Sequence, residues 1–93
     1  MANLPDDDIF VKMASEFIDV ANKYGLEVDQ QLVGAALSHA AARYNAFVVS
    51  TLVEDADHMK DLRETVTRHH VEAFQDAFNH HYDDHLKALA KRA

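Results

Sequence analysis

The chain has 93 residues, 48% of them apolar, with a formal charge of −7, two glycines, one proline and no cysteine. That length suits one domain spanning 1–93, and the absence of cysteine excludes disulfides, thiolate metal sites and cysteine nucleophiles. The acidic balance sets nucleic acid aside as a direct partner, because phosphate and an acidic surface repel each other.

The opening MANLPDDDIF has no basic segment leading into an apolar run, so it does not read as a signal peptide. No apolar run is long enough to span a bilayer. The expectation is a cytoplasmic protein without a membrane partner. With so few glycines and prolines, the chain is expected to be all-α: a three-helix hairpin or bundle with a long C-terminal helix.

The first helix is predicted to start near Pro5, where proline suits the first turn and three aspartates suit the positive end of the helix dipole. Phe10, Met13, Phe17, Val20 and Tyr24 follow at spacings of three and four and form one apolar stripe. Gly25 is placed to stop this helix.

A second helix is predicted after LEVD, with Asp29 as its cap. Val33, Leu37, Ala40, Tyr44, Phe47 and Thr51 again recur at helical spacing, and the flanks are also small or apolar. A helix apolar nearly all round belongs in the middle of a structure. Gly34, Ser38 and Ala42 form a row of small residues that lets another backbone approach closely.

VEDAD breaks the pattern and predicts a turn, with Asp55 or Asp57 as the cap of a third helix. From there to about residue 90 no breaker occurs, while Met59, Leu62, Val66, Ala73, Phe74, Ala77, Phe78, Tyr82, Leu86 and Leu89 keep helical spacing. Such a helix is roughly 50 Å long, against about 30–35 Å for a compact domain of this size. One end therefore overhangs, bends or packs on another chain, and the apolar residues reach Leu89. Self-association as a homodimer is the expectation.

The segments FVKMASEFIDVAN, VGAALSHAAARYNAFVVS and EAFQDAFNHHYDDHL carry a resemblance. Together they look like a small bacterial family of all-helical proteins of unknown function, over roughly residues 10 to 86. The resemblance implies the fold and brings no activity with it.

Five of the seven histidines fall in HHVEAFQDAFNHHYDDH. His69 and His80 share one helix face and His70 and His81 a neighbouring one, but residues eleven apart stand roughly 16.5 Å apart along the axis and cannot hold one ion. His81 and His85, four apart with Asp84 close by, are the candidate ligands for a divalent metal. HYDDH lacks the glutamate that a helical zinc-protease motif places after its first histidine. His80 between Asp76 and Asp84 reads as a solvated ion-pair row. Seven protonated histidines would cancel the formal charge of −7, so solubility or association is expected to change as the pH falls through the titration range of free imidazole, near 6.5.

Arg43, beside the alanine-rich face, is expected to pair with Glu16 or Asp19. Ser38 and His39 are adjacent and point about 100° apart, so they start no catalytic triad. No acid lies in the core stripe of the second helix to support a di-iron centre, and there is no glycine-rich phosphate loop. The reading is a non-enzymatic, self-associating interaction module needing no cofactor. Its candidate surface is Ala35, Ser38, Ala42, Phe47 and Val48 with Phe74 and Phe78. A metal-binding protein using His81, Asp84 and His85 is the alternative.

Overall fold

The computed structural model describes residues 6–92. They form three helices, α1 (Asp6–Gly25), α2 (Gln30–Ser50) and α3 (Ala56–Arg92), with no strand among them. The all-α expectation holds. The expected role of Pro5 in the first turn lies outside the described residues.

The ends of α1 and α3 have local causes. At the end of α1 the amides of Glu27 and Val28 donate to the carbonyl of Tyr24 at 2.9 and 3.0 Å, and that of Leu26 reaches Lys23 at 3.3 Å. Gly25 closes the helix where expected, but no glycine has positive φ, so the left-handed glycine cap is not the device used. Instead, tightened turns satisfy the last carbonyls. A Cβ built on Gly25 would meet only the Gln30 side chain, Cγ at 3.7 Å and Nε2 at 4.0 Å, both ordinary contacts.

The turn predicted at VEDAD is present, and Asp55 rather than Asp57 caps α3. The backbone amide of His58 donates to Asp55 Oδ1 at 2.9 Å, while the Glu54 amide donates to His58 Nδ1 at 3.2 Å. Two backbone donors at the helix start are thus satisfied by side chains three residues apart, a variant of the capping box in which histidine replaces the usual glutamate. At the far end Lys91 and Arg92 occupy the last turn, where cations suit the negative end of the dipole.

The chain divides into two compact units, Met1–Val48 and Val49–Ala93. The first holds α1 and most of α2. Between the end of α1 and α2 lies an open apolar groove of about 370 Å³, lined by Val20, Tyr24, Val28 and a strip of α2 from Leu32 to Ala40. The second unit is essentially α3, whose 37 residues span about 55 Å at 1.5 Å each.

Among the described residues no side chain is buried. The expectation that α2 forms a covered centre is therefore not met within one chain. Leu32, Tyr44 and Phe47 of α2 remain exposed, as do Phe10, Phe17 and Tyr24 on the α1 stripe. Each unit has too few elements to enclose an apolar face, because a helix can bury its stripe only against another element.

Candidate functional site

α3 carries two apolar stripes, and they point in different directions. At about 100° per residue, Met59, Leu62 and Val66 share one arc, and Val71, Phe74, Phe78, Tyr82 and Leu89 share another about 130° further round. The first three are half-buried. Every residue of the second set keeps more than half of its surface exposed.

Within the second stripe the aromatic rings form a ladder. Phe74 and Phe78 stack with ring centroids 5.7 Å apart, and Phe78 and Tyr82 follow at 5.6 Å. Residues four apart on a helix are neighbours, so the ladder follows directly from the sequence spacing. Phe74, Ala77, Phe78, His81, Tyr82 and His85 line one shallow apolar groove along this face.

The histidines sort into distinct roles. His70 donates through Nδ1 to the carbonyl of Val66 at 3.0 Å, which leaves Nε2 as the acceptor in the neutral ring. His80 pairs with Asp84, Nε2 to Oδ2 3.8 Å, and Asp76 is not part of that contact. The rings of His80 and His81 meet edge-on with centroids 5.0 Å apart. Ligand atoms of His80, His81 and Asp84 all lie within 4.8 Å of one another, and all three residues are exposed. Of the three expected ligands, His81 and Asp84 thus fall in one cluster with His80, and His85 faces the aromatic groove. The i,i+4 spacing of His80 and Asp84 was visible in the sequence. The contribution of His81 depends on a rotamer that spacing does not specify.

The expected interface residues divide between the units. Ala35, Ser38, Ala42 and Phe47 are exposed and Val48 is half-buried, in the first unit; Phe74 and Phe78 are exposed in the second. Tyr44 and Phe47 form a tilted pair with centroids 6.2 Å apart. Arg43 corrects an expectation. Among the described residues the ion pair within 4.0 Å is His80–Asp84, and neither Glu16 nor Asp19 partners Arg43. Exposed beside His39, Tyr44 and Phe47, its guanidinium is solvated and needs no counter-charge. The histidine in the α3 cap was missed by the sequence reading, although the D-x-x-H spacing of Asp55 and His58 was the signal.

Taken together, these features define a small all-helical protein with an exposed aromatic face and an exposed histidine–aspartate cluster. Residues 10–86 match the family described as a protein of unknown function, DUF3144, and the chain belongs to it. No curated protein and no solved structure matches the chain. No helix among the described residues is long and apolar enough to cross a membrane.

Proposed function

We propose that this is a self-associating helical interaction module of the cytoplasm, without catalytic activity, that works as a homodimer and offers its remaining apolar surface to another protein. One observation carries the reading: the described residues contain no buried side chain, while many large apolar residues on all three helices are exposed. Burying one such side chain contributes about 1.5–3 kcal/mol, and in proteins most helical stability comes from packing an apolar face. The missing cover is supplied by a second chain. The small-residue face of α2, Ala35, Ser38 and Ala42, with Phe47, Val48, Phe74 and Phe78, supplies the contact.

The test is the mass in solution as a function of concentration, by sedimentation equilibrium or light scattering. A dimer that dissociates on dilution with loss of helix content is expected. A helical monomer at about 100 μM, well above the micromolar range of a moderate complex, overturns the reading.

The clustering of His80, His81 and Asp84 supports a second reading, divalent-metal binding. Zinc holds its ligands about 2 Å away, so the three groups need only rotamer adjustments to converge, with water or the nearby His85 completing the set. Under this reading, zinc or nickel raises the unfolding temperature by several degrees. The rise disappears with a chelator and in His80→Ala and His81→Ala. No shift with either metal removes it.

A further inference from the structure

We propose that the distal stripe of α3 pairs antiparallel with the same stripe of a second copy. The inference rests on the self-association reading and specifies the surface and its geometry. Three observations support it.

First, the stripe turns. Whatever half-covers Met59, Leu62 and Val66 meets a face about 130° away from Val71, Phe74, Phe78, Tyr82 and Leu89. A straight helix cannot present both faces to one flat surface, so the distal stripe takes an occupant of its own. Second, the area fits. Val71, Phe74, Phe78, Tyr82, Leu86 and Leu89 each keep between 52% and 60% of their surface exposed. With roughly 150–250 Å² for an aromatic side chain and somewhat less for leucine and valine, the stripe offers about 600 Å² per chain. Complete cover of the stripe in two copies removes about 1,200 Å², the lower end of the range of a stable interface.

Third, the basic tails and the helix dipoles favour one direction for the pair. Glu72, Asp76, Asp83 and Asp84 lie in a stretch without lysine or arginine, and Lys87, Lys91 and Arg92 follow it. A parallel pair sets acidic stretch beside acidic stretch. An antiparallel pair separates the two basic tails, sets each beside residues 68–73 of the other copy, Glu72 among them, and opposes the two helix dipoles, while Asp76 stays level with Asp84 of the other copy. Full overlap of the stripe with itself puts the two-fold axis beside residue 80, with Phe78 level with Tyr82 of the other copy.

The experiment uses the full chain, which has no cysteine of its own. Spin labels go on Glu72→Cys, Asn79→Cys and Ala90→Cys, three positions off the stripe, and interchain distances are read by pulsed EPR. In the antiparallel pair the Asn79 labels are close. The Glu72 and Ala90 labels stand apart by an additional axial separation of about 24 and 30 Å, from twice the offset to the axis at 1.5 Å per residue. A parallel pair gives the same distance at all three positions and overturns the arrangement. In parallel, Phe78→Glu is expected to weaken dimerisation by about 100-fold or more, since the substituted aromatic lies at the centre of a symmetric contact. A Phe78→Glu protein that remains dimeric overturns the assignment of the surface and leaves self-association standing. A wild-type monomer overturns both.

Discussion

Asp55 is the residue on which the start of α3 depends. Its carboxylate accepts from the amide of His58, and the imidazole of His58 accepts from the amide of Glu54, so the two side chains close the helix end reciprocally. Replacing Asp55 by alanine leaves a donor without its partner and is expected to cost about 1 kcal/mol. Asp57→Ala, one step inside the helix, loses only the weaker dipole interaction of an acid in the first turn. Thermal unfolding of the two variants side by side checks this, with the larger fall in Asp55→Ala. The sequence narrowed the cap to these two aspartates but could not choose between them, because the choice depends on which residue leaves helical geometry first. Arg43 shows the opposite limit. An ion pair was inferred for it from an assumed burial, and the burial is absent.

The helices themselves were legible in the sequence. Apolar spacing placed all three, and the scarcity of glycine and proline set the length of α3. Spacing says nothing about what a stripe faces, however, and α2 was expected at a covered centre that a single chain does not build. Gly34 gives an experimental handle on that face. A Cβ built there meets nothing within 4 Å, and the residue sits inside α2, where glycine costs about 0.8–1.0 kcal/mol relative to alanine. Gly34→Ala is therefore expected to raise stability by up to about 1 kcal/mol, read as a higher denaturation midpoint. Gly34→Leu, also a good helix former, is expected to keep the helix and weaken dimerisation if the row with Ser38 and Ala42 meets a second backbone. Equal dimerisation in the two variants places that row in solvent.

At the scale of the molecule, charge and histidine content act together. The formal charge is −7 with neutral histidines, of which there are seven, so full protonation cancels it. Net charge keeps proteins apart in solution. Solubility is expected to fall on acidification as the net charge shrinks, and turbidity or precipitation measured against pH checks it. An unchanged solubility curve would mean that local charge patches, rather than the total, govern contacts between molecules. The site was only partly legible. The aromatic ladder followed from spacing, while the turn of the α3 stripe between Val66 and Val71 becomes plain only when each face is matched to its exposure.

The spacing within that stripe decides how far an assembly built on it can grow. Val71, Phe74, Phe78, Tyr82, Leu86 and Leu89 advance by three, four, four, four and three residues, an average equal to the natural turn of the helix at about 3.6 residues. A seven-residue rhythm winds helices leftward around one another and an eleven-residue rhythm winds them rightward. This one demands neither, so in the proposed pair two such rods would lie side by side untwisted. Their contact would stop bluntly where the leucines run out, and its two-fold symmetry would leave no matching edge on that stripe for a third.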